Sequence, residues 1–142
     1  WAVGEKGLVL HFDGRQWSRI PYPGDARGDG LTGVRVIDGK VFICGRSGRI
    51  LHGTANGLEI LAELDSALYG IARFDARVFL AAGDDGVLVL KGRAAEVVKS
   101  NFAAVGVFET ERMLFFVEPA QDTARVIEYD PSSAAPWWRR QF

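Results

Sequence analysis

A glycine pair that recurs along the chain restricts its fold more than any other feature of the sequence. The pattern G-x-x-G stands between two short apolar runs at three places, Gly4–Gly7, Gly45–Gly48 and Gly83–Gly86. The first glycines of these pairs lie 41 and 38 residues apart. A regular interval of this kind indicates that the chain is built from repeated units, each of which buries its apolar surface against its neighbours.

Each glycine pair is predicted to form the turn of a β-hairpin, because glycine tolerates the positive φ angles that tight turns need. A phosphate-binding glycine loop would instead be followed by a helix. The segment Arg49–Gly53 after the second pair is too short for a helix, contains the β-branched Ile50 and ends at another turn. Since a blade of a β-propeller is a four-stranded sheet of about 40 residues, we predict an all-β propeller.

Around each hairpin the sequence predicts an inner, a second, a third and an outer strand. Glycine and alanine are expected in the inner strands, which are crowded at the centre of a propeller. The inner strands are predicted at 31–37, 68–74 and 104–108. The blades of this single, partial propeller are expected at about 1–30, 31–67, 68–103 and 104–142.

The two ends of the chain depart from this pattern. Trp1–Val3 corresponds to a second strand, so the first blade is expected to lack its inner strand. In the last blade Glu118 and Pro119 stand near the position of the glycine pair. We therefore expect about four blades of four antiparallel strands as part of a larger ring, completed by a second chain or by the remainder of the same polypeptide. A minimal four-bladed ring is the alternative.

The first 17 residues, WAVGEKGLVLHFDGRQW, resemble bacterial propeller repeats that read W-A-V-G-x-x-G and then D-G-x-x-W. Related repeats occur in photosystem assembly factors and in sialidase-like propellers. The resemblance is strong over 1–17, good over 31–53, weaker over 68–91, and fades from Val117. The Asp box of sialidases is not satisfied, because Phe12 to Trp17 lacks its serine and threonine. The resemblance implies the fold but no particular function, since propellers serve binding, scaffolding and catalysis.

Charge, hydropathy and cysteine content exclude several classes of partner. With 17 basic and 18 acidic side chains the formal net charge is -1, without the basic excess of nucleic-acid-binding proteins. The longest apolar runs are far shorter than the roughly 18 residues of a membrane helix. The single cysteine, Cys44, lies in an apolar run and is predicted to be buried; its isolation favours a reducing, cytoplasmic compartment. We expect neither a nucleic acid nor a membrane as partner.

The two histidines are interpreted as strand residues rather than as a catalytic or metal-binding set. His11 and His52 each lie four residues after the second glycine of their pair, where Leu90 stands in the third repeat. The adjacent Asp84 and Asp85 provide too few oxygens for calcium, which takes six to eight. No metal or cofactor is therefore predicted.

No catalytic motif is recognisable, although residue types used by sialidases are present in Arg46, Tyr69, Arg73 and Asp84. We therefore predict that the chain is not an enzyme. The alternative is a carbohydrate-active propeller, sialidase-like or lyase-like.

The loops favour contact with a protein. The glycine-pair turns are expected to present a mixed-sign surface on one face, which suits specific recognition of a polar protein surface. The residues of this surface are Glu5, Lys6, Arg46, Asp84 and Asp85. In the tail, Trp137, Trp138 and Arg139 are residue types common at interface anchors. The alternative is that the tryptophans pack between blades, as Trp17 is expected to do.

These observations predict a non-catalytic module that binds a protein partner, as an adaptor, an assembly factor or a toxin-neutralising immunity protein. A purely structural half-ring that completes a larger protein is a further alternative.

Overall fold

The computed structural model describes residues 1–26 and 28–131, together with the backbone of 138–141. Within these residues fifteen β-strands follow one another, with one 3-10 turn at Glu5–Gly7. The strands are β1 (Ala2–Val3), β2 (Val9–Phe12), β3 (Trp17–Arg19), β4 (Leu31–Ile37), β5 (Lys40–Gly45), β6 (Arg49–Thr54), β7 (Gly57–Glu63), β8 (Gly70–Phe74), β9 (Arg77–Ala81), β10 (Val87–Lys91), β11 (Ala94–Lys99), β12 (Gly106–Glu109), β13 (Leu114–Ala120), β14 (Thr123–Tyr129) and β15 (Trp138–Gln141). The predicted all-β class is confirmed.

The strands form four antiparallel sheets, in each of which neighbours in sequence are neighbours in space. Sheet 1 contains β1–β3, sheet 2 β4–β7, sheet 3 β8–β11 and sheet 4 β12–β15. This up-and-down order needs only short connections, because antiparallel strands can be joined by tight turns. We call the face of a sheet that looks toward the next sheet in chain order its forward face, and the opposite one its back face.

The G-x-x-G turn joins β1 to β2 in sheet 1, β5 to β6 in sheet 2 and β9 to β10 in sheet 3, and we call it the glycine loop. Its second glycine has positive φ in all three sheets: 65° at Gly7, 83° at Gly48 and 82° at Gly86. A Cβ on Gly48 or Gly86 would also overlap the carbonyl oxygen of Leu64 or Lys99, at the end of the outer strand. The glycine is required both by the turn and by this close packing.

Three hydrophobic clusters lie between successive sheets. Sheets 2 and 3 each lie between two of these clusters, so both of their faces are covered. Their strands therefore carry apolar residues on both sides and show little alternation of apolar and polar residues. Between sheets 1 and 2 the cluster contains Val9, Ile20, Leu31, Val41, Ile43 and Leu51. Between sheets 2 and 3 it contains Cys44, Ile50, Ala62, Leu68, Ile71, Leu80, Ala82 and Leu88. Between sheets 3 and 4 it contains Ala72, Phe74, Phe79, Ala81, Val87, Val89, Phe102, Ala104, Leu114, Phe116, Ile127 and Tyr129.

The first strands of sheets 2, 3 and 4 approach one another closely through glycines. A Cβ on Gly33 would lie 3.2 Å from the Cα of Gly70, and a Cβ on Gly70 would lie 3.2 Å from the nitrogen of Val107. Both distances are tight for a Cβ atom. Glycine in these strands therefore permits the crowding that the sequence predicted for them.

A backbone hydrogen bond of the same kind links each sheet to the next. The amide that leads into the first strand of a sheet donates to the first glycine of the glycine loop in the preceding sheet. These bonds are Leu31 to Gly4 (3.1 Å), Leu68 to Gly45 (3.2 Å) and Ala104 to Gly83 (2.9 Å). The bond holds each glycine loop in place and repeats the same relation between successive sheets three times.

Two interpretations of single side chains were wrong. Trp17 does not pack between sheets but is 55% exposed, because it lies opposite Phe12 on the back face of sheet 1. Leu90 is not the counterpart of His52: His52 pairs with Phe42, whereas Val89 pairs with the corresponding Phe79. The loops of sheets 2 and 3 both place five residues between the last paired residues, but the glycine pair lies one position later in the loop of sheet 3, which shifts an alignment made on the glycines by one position.

Candidate functional site

The five loop residues predicted to form a binding surface lie at the same end of their sheets. Glu5 and Lys6 belong to the glycine loop of sheet 1, Arg46 to that of sheet 2, and Asp84 and Asp85 to that of sheet 3; all are exposed. In sheets 2, 3 and 4 the turns between the first and second strands lie at the opposite end. We call the end that carries the glycine loops the loop face.

Two of these residues form an ion pair between neighbouring loops. The Arg46 guanidinium donates to Glu5 Oε1 at 2.5 Å, and both side chains are largely exposed. Arg46 lies across Gly30, where a Cβ would overlap the guanidinium group. Such an exposed pair contributes at most about 1 kcal/mol to stability. Its main effect is to orient two charges on the loop face. Among the described contacts, none joins Asp84 or Asp85 to this pair.

A buried carboxylate that the sequence did not reveal lies beneath this pair. Asp29 is 1% exposed and accepts a hydrogen bond of 2.5 Å from the Tyr22 hydroxyl and a long one, 3.4 Å, from the Ser47 amide. It lies against Gly45, where a Cβ would overlap its Oδ1 atom. A buried charge needs such partners, because losing hydration is costly. The only signal in the sequence is its position between two glycines, just before β4.

Arg49 extends this network between sheets 1 and 2. Its Nη1 atom donates to the Tyr22 hydroxyl at 3.2 Å and to the Asp25 carbonyl at 2.7 Å, while Nε donates to Glu63 at 2.8 Å. Burial, and then the hydrogen bond to Asp29, raise the pKa of Tyr22 to about 12. The hydroxyl therefore keeps its proton and its role as donor at neutral pH. We call Tyr22, Asp29 and Arg49 the polar network.

A cleft of about 560 Å³ opens beside the polar network. Four carboxylates and one guanidinium line it, so it suits a polar or basic group better than an apolar one. Its lining residues are Asp25, Asp29, Ser47, Arg49, Glu63, Leu64 and Asp65. In the part of the chain that the structure describes, no group of three or more His, Cys, Asp or Glu residues is arranged to hold a metal ion.

The residue types of a sialidase do not meet in one place. Tyr69 lies against Gly83 at the loop face, near Asp84. Arg73 lies at the opposite end of sheet 3, where it donates to the Asp38 side chain at 2.8 Å and to the Asp75 carbonyl at 2.7 Å. Arg46 and Arg73 therefore belong to different ends of the molecule.

The histidines and the cysteine have structural surroundings. The His11 ring lies 4.6 Å from that of Trp1, and His52 Nε2 lies 2.7 Å from Glu59 Oε1. The Cys44 side chain is fully buried, as predicted, and burial raises the pKa of its thiol to about 11. The thiol is therefore protonated and unreactive at neutral pH.

Of the three tail residues predicted to contact a partner, Trp137 lies outside the described residues. Trp138 and Arg139 belong to β15, whose backbone pairs with Tyr129 and Glu128 of β14. Among the described residues, no helix is long and apolar enough to cross a membrane.

Comparison with known proteins gives one line of evidence on function. No family model matches the chain. The chain is 29% identical over 100 residues to the immune protein Tsi7 of Pseudomonas aeruginosa. The aligned segment covers 68% of this chain and 32% of Tsi7, so the chain matches about a third of the length of that relative.

Proposed function

We propose that this chain is a non-catalytic protein-binding module of the immunity type, which neutralises a protein toxin by binding to it. The observation that carries the proposal is the similarity to an immune protein over 68% of the chain. The same class of function is favoured independently by the mixed charges of the loop face and by the absence of a recognisable catalytic motif in the sequence.

The proposal includes the architecture: the four sheets are blades of a propeller of the bacterial repeat type. Its support is the repeated relation between sheets, in which each blade is linked to the next by the same backbone hydrogen bond. The close approach of Gly33 to Gly70, and of Gly70 to β12, agrees with inner strands at a propeller centre. In such a ring the glycine loops all open on one face, which is where we place the toxin.

The loop face suits this role because its groups are held in position before any partner arrives. The linking hydrogen bonds fix the backbone of the loops, and the polar network fixes the segment between sheets 1 and 2. A surface ordered in advance loses little conformational entropy on binding, which favours high affinity. Charges of both signs, here Glu5 and Arg46, further select partners with a complementary surface.

The proposal is tested by native capture with matched variants. The immobilised chain is exposed to lysates of the cells that produce it, beside Arg46→Glu on the loop face and Arg112→Glu at the opposite end. Both variants make the same charge change on an exposed side chain. We expect the wild type and Arg112→Glu to retain one protein, and Arg46→Glu to bind it about tenfold or more weakly.

The captured protein must then inhibit growth when expressed alone, and co-expression of the wild-type chain must relieve the inhibition. Capture of a harmless protein would contradict the immunity role while retaining a binding role. Turnover of a glycan by the purified chain, abolished by Arg46→Glu, would favour the carbohydrate-active alternative instead.

A further inference from the structure

The forward face of sheet 4 is apolar and has no sheet packed on it in the described structure. Phe108 is 43% exposed and stacks on Phe115, with ring centres 5.0 Å apart and an angle of 7° between the rings. The strand register places Val117 and Val126 on this same face, opposite each other on β13 and β14. The face thus carries two aromatic and two β-branched side chains.

This face corresponds, position by position, to one that the fold buries elsewhere. When Gly106 of β12 is aligned with Gly70 of β8, Phe115 and Val117 take the places of Phe79 and Ala81 in sheet 3. Phe79 and Ala81 are both fully buried, because sheet 4 covers them. The same surface is therefore covered in sheet 3 and uncovered in sheet 4.

The back face of sheet 1 is the second uncovered surface of this kind. Phe12 and Trp17 are 44% and 55% exposed, with ring centres 5.3 Å apart. Leu10 lies on the same face, opposite Ala2 in the register. The corresponding pair in sheet 2 is Ile43 and Leu51, both fully buried under sheet 1.

We propose that these two faces bind each other between two copies of the chain. The forward face of sheet 4 in one copy packs on the back face of sheet 1 in the other, as each sheet already packs on the next within one copy. This contact continues an interface that the molecule forms three times. It goes beyond the proposed function, because it rests on the register of the sheets and not on any toxin.

Each of the two faces also has charged positions beside its apolar side chains. Arg19 lies opposite Leu10 on the back face of sheet 1, and Glu128 lies opposite Phe115 on the forward face of sheet 4. The contact is heterologous, because it joins two different faces. Every copy therefore has both of its faces covered only when the assembly closes on itself. Two copies joined in this way at both faces form a closed pair. Closure removes the two apolar patches that a single copy would expose to water.

The test is the mass in solution of the whole chain and of three variants, measured by analytical ultracentrifugation over a wide range of concentration. Trp17→Asp disrupts the back face of sheet 1 and Phe108→Asp the forward face of sheet 4. Val97→Asp is the matched control, since Val97 is 60% exposed but lies on β11, away from both faces. Circular dichroism checks that each variant keeps its β structure.

We expect the wild type and Val97→Asp to have twice the mass of the 15.6 kDa chain. Trp17→Asp and Phe108→Asp are each expected to be monomeric. Mixing these two variants restores a pair, because Trp17→Asp retains an intact sheet 4 face and Phe108→Asp an intact sheet 1 face. A wild-type chain that is monomeric at every concentration would overturn the proposal. A dimer of Trp17→Asp alone would also overturn it, because the contact would then join two like faces.

Discussion

The contact between sheets 1 and 2 and the contact between sheets 3 and 4 solve the same packing problem in different ways. Each has the linking backbone bond and an apolar cluster. Beside the link, the first contact adds a buried carboxylate, Asp29, with its polar network. Both contacts have a second backbone bond, from the Gly7 amide to the Asp29 carbonyl at 2.9 Å in the first and from the Gly83 amide to the Ala104 carbonyl at 2.7 Å in the third. The third contact has instead an aromatic core around Phe79 and Phe116. The backbone link is what repeats, and the side chains beside it have diverged.

This difference suggests that the contact between sheets 3 and 4 serves mainly stability, whereas the contact between sheets 1 and 2 also serves the proposed recognition of a partner. The contact between sheets 3 and 4 is mainly apolar, with one buried carboxylate, Glu118, that forms an ion pair with Arg125, so most of its side chains serve packing. The contact between sheets 1 and 2 keeps charged groups at the loop face, where a cleft opens beside them. A buried charge stabilises a fold less than apolar packing of similar volume does. We therefore propose that its presence beside the cleft serves binding rather than stability.

The largest expected effect comes from disrupting the apolar contact between sheets 3 and 4. Phe79→Ala removes a fully buried ring that meets Tyr129 edge-on at 5.9 Å, and leaves a cavity between sheets 3 and 4. We expect the free energy of unfolding to fall by about 3–5 kcal/mol, as measured by urea denaturation. Val97→Ala on the exposed outer strand is the control and should change it by less than about 0.5 kcal/mol. Equal effects would mean that this core is not packed as described.

The next largest effect comes from disrupting the polar network between sheets 1 and 2. Asp29→Ala leaves the Tyr22 hydroxyl and the Ser47 amide without their acceptor, so we expect a loss of about 1–3 kcal/mol in the same experiment. Asp29→Asn keeps an acceptor oxygen and should lose less. An alanine variant as stable as the wild type would show that the network contributes nothing to the contact between sheets 1 and 2.

The repeated features of the fold could be predicted from the sequence because the same local pattern occurs in three copies, so that a deviation in one copy does not hide it. The first strand of sheet 2 was predicted at 31–37 and is found at Leu31–Ile37; those of sheets 3 and 4 begin two residues later than predicted. Apolar runs before a Gly or Asp turn are local signals, and each turn ends its strand in the same way. Such signals do not depend on which sheet packs against which.

What differs between copies could not be predicted. Asp29 is a lone carboxylate in a connecting segment, and its burial depends on the space above Gly45 and on a tyrosine seven residues earlier. Trp17 was expected to be buried because tryptophan usually is, but burial requires a covering sheet. The counterpart of His52 was misassigned because the glycine pair lies one position later in the loop of sheet 3 than in that of sheet 2, although the two loops are equally long. Each of these depends on long-range packing rather than on local pattern.

A smaller effect, the pH dependence of stability, measures the contribution of the Tyr22 hydroxyl to the contact between sheets 1 and 2. The pKa of Tyr22 is about 12 in the folded chain and 10.0 when unperturbed, so the folded state holds this proton more tightly than the unfolded state. The resulting stabilisation is complete below pH 10 and is lost as the pH rises toward 12. We expect the stability of the wild type to fall more steeply over this range than that of Tyr22→Phe. Since Cys44 and Tyr129 titrate in both proteins, the difference between them isolates Tyr22. Parallel curves would contradict the role assigned to this hydroxyl.

The smallest effect concerns the exposed pair at the loop face, and it distinguishes recognition from stability most directly. A double-mutant cycle with Glu5→Ala and Arg46→Ala should give a coupling energy of about 0.2–1 kcal/mol in urea denaturation, decreasing with salt. The reason is that both side chains are hydrated, so their attraction is screened. If the loop face binds a protein partner, the same single variants should weaken that binding by more than they weaken the fold, because a partner excludes water from the charges it contacts. A coupling energy well above 1 kcal/mol in the free chain would mean that this pair stabilises the fold. The charged groups between sheets 1 and 2 would then no longer be evidence for a binding role.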